Sequence, residues 1–452
     1  MRKALAAMEV TEAKDFYQAH FKRLESEFGR NGQARLLPIR KEAISSFGKL
    51  GFPTTRDEEW KYTNIAPLVQ IPFKPATPGK IGLTSETLTH LPFGNLPPAH
   101  LVFVNGHCAQ HLSSSTGTED MELRSLASAL DRHPQLLEPH LGRHAGYQDH
   151  AFVALNTAFM SDGAFLYVPS GKRVESPIYI LFIASAGEEA IASFPRNLIV
   201  VGSGSQVTIV EIYVGLKKQV YLTNAVTEVV LEENAVAEHY KLQWESEEAF
   251  HIATLQVHQH RSSNFISHSI SWGGALARND INVGLGGEGD ECTLNGLYVA
   301  TGRQHVDNHT RIDHIKPHGT SRELYKGVLD DRATGVFNGK IYVHKDAQKT
   351  DARQVNKNLL RSPGASVDTK PQLEIYNNDV KCSHGSTIGQ IDQDAIFYLR
   401  SRGIGLEAAR DLLTYAFASD IISRIKVEPI RIHLDDLLLT RFRKESQTQD
   451  VP

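Results

Sequence analysis

LNGLYVATGRQ (residues 294–304) resembles FNGKIYVHKDAQ (residues 337–348), the one internal echo in this chain. Asn295 and Asn338 stand 43 residues apart, and half of that is about the length of one coil of a β-helix. Stacked coils bury a continuous core that no single coil can enclose. The surrounding sequence has the same texture from about residue 101 to 390. LVFVNG, AFLYVPSG, PIYILFIASAG, NLIVVGSG, VTIVEIYVG and TEVVLEENAVAEHYKLQ are short β-like runs separated by Gly, Asn and Asp. No helix is read between them, which excludes a βαβ architecture with its crossovers of about a dozen residues or more. A sandwich, a barrel or a solenoid remains. The echo favours the solenoid, although a barrel also tolerates it.

Outward from that core, residues 1–50 read mostly as helix, with FYQAHFKRLESEF broken by NGQ and later by GFP. Residues 51–100 are irregular and proline-rich (PTTRDEEWKYTNIAPL, IPFKPATPGK, LPFGNLPP), the texture of a connector. After 390 the pattern turns helical again. Asp392 caps IDQDAIFYLRSRG and Gly403 stops it, while GLEAARDLLTYAFASDIISRI sets Leu406, Ala409, Leu413 and Ala416 on one stripe. A third helix, HLDDLLLTRFRK, follows the proline at 429. Such a stripe fits docking onto the chain's own core or a platform for a partner. Three regions result: 1–100, 101–390 and 391–452.

Composition narrows the class. With 41% hydrophobic and 22% charged residues, the chain reads as an ordinary soluble globular protein. Its 48 basic and 52 acidic residues give a formal charge of −4, no footprint for nucleic acid or an anionic membrane. Three cysteines, at 108, 292 and 382, show no CxxC spacing, so a reducing cytoplasm is expected. Glu9, Glu12 and Asp15 interrupt MRKALAAMEVTEAKDFYQAHF, which reads as an amphipathic helix and lacks the apolar core of a signal peptide. The longest apolar stretch, PIYILFIA at 177–184, is far short of the roughly 20 residues that span a bilayer.

Several motifs reduce to plain readings. GLGGEGDE (284–291) formally contains GxGxxG, but ECTLNGLYVA follows it as another strand, so it reads as a glycine-rich turn. SGKR (170–173) and NGKI (338–341) lack the rest of a phosphate-binding loop. His305, His309, His314 and His318 form the most metal-like cluster, yet strands and turns would scatter them as solvated turn histidines. A self-sufficient β-helix metalloenzyme built on these four is the alternative reading. Asp330–Asp331–Arg332 is the only group that tempts comparison with polysaccharide-cleaving β-helices, which are typically secreted.

NNDVKCSHGSTIGQ (377–390) carries the remaining chemistry. In a strand, Cys382 and His384 share a face while Lys381 and Ser383 take the other. A thiol beside an imidazole suits zinc, iron or an iron–sulfur cluster, but a closed tetrahedral site needs about four ligands. Two of them are in this strand.

KCSHGSTIGQIDQDAIFYLRSRGI (381–404), with RDEEWKYTNI (56–65) and RIDHIKPHGTSRELYKGVLDDRATGVFNGKIYV (311–343), resembles the SufB/SufD family of iron–sulfur cluster assembly proteins. Within it the SufD branch is the better match, because Leu399 stands where SufB chains commonly carry cysteine. The resemblance implies a mainly β fold, a right-handed parallel β-helix core flanked by N-terminal and C-terminal α-helical regions. It implies a non-catalytic cytoplasmic scaffold in the SufBCD complex that pairs with SufB through the β-helix and docks the SufC ATPase through its C-terminal helices. Leu406, Ala409, Leu413, Ala416 and Phe417 would lie on those helices. His384, with Cys382 beside it, matches the SufD histidine expected to share a nascent cluster or iron with SufB. The resemblance implies no cofactor held tightly by the isolated chain and leaves room for a reduced flavin in the complex. A homodimer of the chain alone, or a SufB-like homodimeric scaffold, are further arrangements it allows.

Overall fold

Each coil of this chain contributes one strand to each of two parallel sheets, so the echoing segments are pieces of a flattened solenoid. The structure, a computed structural model, describes residues 10–28, 33–78, 83–185, 187, 189–216 and 218–448. The front sheet stacks Arg196–Val201, Tyr221–Leu231, Phe250–Gln259, Leu276–Leu285, His305–His314, Thr334–Val343 and Ser366–Ile375. The back sheet stacks Ile178–Ala184, Gln206–Gly215, Val236–Glu245, Asn264–Gly273, Glu291–Ala300, Thr320–Leu329, Asp351–Leu360 and Lys381–Gln390.

The coil is longer than the echo suggested. In the back sheet Val236 lies on Gln206, Asn264 on Val236, Glu291 on Asn264, Thr320 on Glu291, Asp351 on Thr320 and Lys381 on Asp351. The spacing is therefore about thirty residues. Asn295 sits in the back sheet and Asn338 in the front one, so the echo spans one and a half coils and not two. Turns set this period: Asn234, Ser262, His318 and Lys349 recur at positive φ, joined by Gly204 and Gly289. Each donates its N–H to a carbonyl of the next coil's turn, as in Ser262 to Glu288 at 3.0 Å and Gly289 to Pro317 at 3.0 Å. GLGGEGDE is such a turn, as read.

The Asn-Gly echo has a packing cause. Inside the lumen a Cβ on Gly296 would lie 2.1 Å from the Tyr325 ring, and one on Gly339 would lie 2.3 Å from Gln354 Nε2. Both glycines admit a large inward side chain, Tyr325 from the adjacent strand and Gln354 from the facing sheet. The lumen is otherwise lined by Ile209, Leu255, Phe265, Ile281, Leu294, Ile312, Phe337 and similar buried residues.

Helices cover the outer faces. Ala43 and Phe47 from Leu37–Leu50, with Phe152 from Ala151–Phe159, pack on Leu222, Val226, Phe250 and Leu276 of the front sheet. Buried Glu228 ties this layer down, accepting from the backbone of Gly142 (2.8 Å), His144 (2.9 Å) and Ala145 (3.0 Å) and from Arg196 (2.7 Å). The helix Ala151–Phe159, like Leu126–Arg132, lies within the region read as strands only. Its AFVALNTAF is buried all round, so it carries no amphipathic period to read. The N-terminal helix is described from Val10 to Phe28; residues 1–9, most of the NGQ break, the Gly-Lys at 79–80 and the last four residues fall outside the described set.

At the C-terminus, Asp392 caps Gln393–Ser401 by accepting from the Asp394 N–H, and Gly403 follows at φ 87°, as read. The stripe on Leu406–Ile422 needs correction. Leu406 and Ala416 are exposed, Leu413 and Phe417 half-buried, and the buried line is Ala409, Thr414, Ala418, Ile421 and Ile422. Ala418, Ile421 and Ile422 pack with Leu434 and Leu438 on Leu242, Ile270, Leu297 and Val328 of the back sheet. The last helix starts at Glu428, with Pro429 inside its first turn where the missing N–H is unneeded.

Candidate functional site at the open end

The final coil has nothing stacked on it. Ser366–Ile375 and Lys381–Gln390 are the terminal strands of their sheets, so each leaves one row of backbone N–H and C=O groups unpaired. Pro371 removes one donor from the first edge, whereas the second, KCSHGSTIGQ, is free of proline. A Cβ placed on Gly385 or Gly389 would meet nothing within 4 Å. Ile375, Tyr376 and Ile388 are 40%, 54% and 47% exposed, an apolar surface placed where the next coil would sit.

Cys382 and His384 occupy this end. Cys382 lies on Ala352 and His384 on Gln354, and both lower residues are buried, so the pair takes lumen positions on an uncovered layer. The strand assignment and shared face hold as read. Burial, and secondarily the Asp351 charge, pushes the Cys382 thiol up, opposed by a backbone hydrogen bond at Ala352. A thiolate here therefore needs a cation or metal to stabilise it. Beneath His384, Gln354 Nε2 donates to Glu323 Oε2 at 2.8 Å. Burial drives the Glu323 carboxyl up to about 7. Cys292 shares the Cys382 column three coils below, buried, so it cannot complete this site. Cys108 is remote, its thiol pushed up to about 11 by burial and by Asp162. Among the described residues no three His, Cys, Asp or Glu side chains converge as a metal set. The end offers two soft donors on an edge, half of a ligand shell.

Of the 305–318 histidines only His318 is the exposed turn residue expected; His305, His309 and His314 lie on one strand, largely covered, and the four do not act together. His305 and His309 lie on the outer face of His305–His314, covered by the EEWKYT segment. Thr63 Oγ1 is 2.9 Å from His305 Nε2 and donates to Asp307 at 2.5 Å. Arg278 reaches Asp307 at 2.8 Å and the Glu59 carbonyl at 2.7 Å, with its guanidinium 3.7 Å from the Trp60 ring. His309 sits 3.1 Å from Asp307 and 3.3 Å from Glu59. Burial opposes its charge, but those carboxylates outweigh burial and raise its pKa. His314 points into the lumen, 2.9 Å from Ser321, while His318 is a left-handed turn residue. The cluster is a clamp holding the N-terminal segment, and the metalloenzyme reading loses its ligand set.

Sequence reasoning also missed charges inside the lumen. Glu211, His239, Lys241, Glu245 and His251 are all buried, with His239 Nε2 3.1 Å and Thr227 Oγ1 3.1 Å from the Glu211 carboxylate. Their signal was alternation: VEIYV and HYKLQ put charged residues at inward parity.

A model of the SUF system FeS cluster assembly SufBD core domain matches residues 182–417, the span of the coils and the first helices after them. A model of the SufBD protein N-terminal region matches residues 11–180. The chain belongs to the SufB/SufD family. An iron–sulfur cluster assembly SufBD family protein of Synechocystis is 35% identical over 408 residues, 88% of this chain and 89% of the relative. SufD of Escherichia coli is 32% identical over 396 residues, 87% and 90% of the two chains. SufB of Bacillus subtilis aligns over a shorter span, 25% identical across 74% of this chain and 73% of its own length. The SufB/SufD chain is thus an iron–sulfur cluster assembly protein, most like SufD. Among its described residues no helix is long and apolar enough to cross a membrane.

Proposed function

We propose that this chain is the SufD-type scaffold subunit of a SufBCD-like complex, pairing end to end with a SufB-type partner through its last coil. One observation carries the reading: Cys382 and His384 take lumen positions on an uncovered coil whose edge is unpaired and which exposes Ile375, Tyr376 and Ile388. A partner strand added to Lys381–Gln390 would satisfy the free backbone groups and cover Ile375 and Ile388. It would also bring its own donors against the thiol and imidazole. The nascent cluster, as cargo, would be held by ligands from both chains. Such a shell breaks when the chains part, which releases the product.

The C-terminal helices support the second half of the proposal. Phe397 and Tyr398 on Gln393–Ser401 are 75% and 57% exposed, and Leu406 and Leu412 are 43% and 47% exposed. Leu413 and Phe417 back that surface from the core side, with Ala409 buried. An ATPase subunit of the SufC type would grip this face and move the helices against the back sheet. A reduced flavin in the assembled complex remains part of the proposal as an electron source. Cytoplasmic residence belongs to it too.

Co-expression with a SufB and a SufC tests it. The three chains should co-purify, and His384→Ala should lower cluster yield roughly tenfold while the complex stays intact. Co-purification with full cluster yield from His384→Ala would remove the ligand role. Failure to co-purify would remove the pairing. A homodimer of the isolated chain through the same edge should dissociate when the SufB partner is added.

A further inference from the structure

The outer face of the back sheet, beside the helix Leu406–Ile422, carries a second feature. Successive coils place Arg353 on Arg322 and Lys357 on Lys326. Neighbouring strands lie about 4.8 Å apart, and like charges facing across that gap destabilise a sheet. Two such cationic ladders occur in a chain whose acids outnumber its bases, 52 to 48. Lys326 is neutralised, its Nζ 2.7 Å from Asp420, and Arg322 bridges Asp351 at 2.9 Å. Arg353 and Lys357 are exposed and have no carboxylate partner among the described residues. Arg424 only shares Asp420, at 3.4 Å.

These residues converge on space. Arg322, Arg353, Lys357 and Arg424 rim a cleft of about 370 Å³ between sheet and helix. Its floor includes Leu324 and Val355, which alternate with the cations along the same outward face. A second recess of about 340 Å³ shares Arg322 and Arg353 and continues to Lys381 and Cys382 at the coil end.

We propose that this cleft binds a carboxylate-rich segment of a partner protein, with acidic side chains on Arg353, Lys357 and Arg424 and an apolar one on Leu324 and Val355. Charge complementarity identifies the occupant: three incompletely compensated cations rim the cleft, the Asp420 carboxylate on its wall is already engaged by Lys326 and Arg424, and Leu324 and Val355 supply an apolar patch between them. Arginine and lysine side chains also bind phosphate, but a free phosphate would leave Leu324 and Val355 uncovered, whereas a peptide side chain covers them. The cleft lies on the outer face and its binding does not depend on the cluster half-site, which only the second recess adjoins.

The full chain is titrated with a fluorescein-labelled peptide of about six glutamates alternating with leucine, read by anisotropy at roughly 50 and 300 mM salt. Saturable one-to-one binding is expected, weaker at the higher salt and at least about tenfold weaker in Arg353→Glu/Lys357→Glu. The Lys316→Glu/Lys345→Glu control, also on exposed positions, should bind as the parent does. Removing the ladders should not harm the fold, so Arg353→Gln/Lys357→Gln should melt at the parent temperature or above. That pair keeps the test valid if the charge-reversed protein misfolds, and should itself weaken binding several-fold. Equal affinity in parent and variants overturns the proposal. Inorganic pyrophosphate binding with the same variant dependence, where the peptide shows none, overturns it in favour of a small-anion site. Self-association that the variants abolish, without peptide binding, overturns it in favour of a second copy.

Discussion

Gly296 has no side chain because Tyr325 occupies the place a Cβ would take, 2.1 Å away. Gly296→Ala should therefore overpack the lumen and cost about 1–3 kcal/mol, read as a lower denaturant midpoint; an unchanged midpoint would mean the ring relocates freely. Glu323 makes the opposite case, a side chain retained against stability. Burial raises its carboxyl from 4.5 to about 7. The folded state then holds a proton that the unfolded chain has released, so its contribution falls as pH rises from about 4.5 toward 7. Glu323→Gln should be near neutral at about pH 4 and stabilising by on the order of 3 kcal/mol at about pH 8. Melting curves at the two pH values decide; equal shifts at both would put the cause elsewhere. Neither effect is visible in the sequence alone. LNGLYVA shows the glycine, and only the register shows the tyrosine that requires it.

Among elements, the EEWKYT segment depends on charge. His309 is raised by Asp307 and Glu59 despite burial, while Glu59 is lowered to about 2, chiefly by its hydrogen bond to His309. The raised imidazole contributes fully below its unfolded value of about 6.5 and is lost as pH rises through its folded value. The lowered carboxylates contribute above about 4.5 and are lost as pH falls through theirs. Amide exchange of residues 56–64 should be slowest near pH 5–6 after correction for intrinsic rates, and His309→Gln should flatten the alkaline side. A profile identical in parent and variant would show that Trp60 stacking alone holds the segment. The sequence showed these residues as a motif and a histidine series in two distant places. It could not show that one clamps the other, because the contact spans 242 positions between Thr63 and His305. The C-terminal stripe failed for a related reason. Ala409 reads on the buried side, but the line continues through Thr414, Ala418, Ile421 and Ile422, which only the packing on the back sheet reveals.

At the scale of the whole molecule, the two ends of the solenoid are treated differently. The first coils are capped by Ala99–Val104 and Glu122–Ser125, antiparallel or short strands at the sheet margins. The last coil is left bare, with exposed Ile388 among small polar residues. Ile388→Asp should leave the isolated chain folded, because no further layer packs on it, yet weaken capture by a SufB-type partner at least about tenfold. Size-exclusion chromatography of the mixed chains reads this directly; undiminished capture would place the interface elsewhere.

The sequence by itself narrowed the core to an all-β sandwich, barrel or solenoid and favoured the solenoid, and it determined the helical flanks, the Asp392 cap, the turn nature of GLGGEGDE and the common face of Cys382 and His384. These follow from period-two alternation and local turn chemistry, which need only neighbours in the chain. Tertiary structure decided the coil length, the helix Ala151–Phe159, the fate of His305 and His309, and the position of the Cys382 strand at an open end. Each depends on which residues are brought together across a coil of about thirty residues, and no local pattern contains that distance.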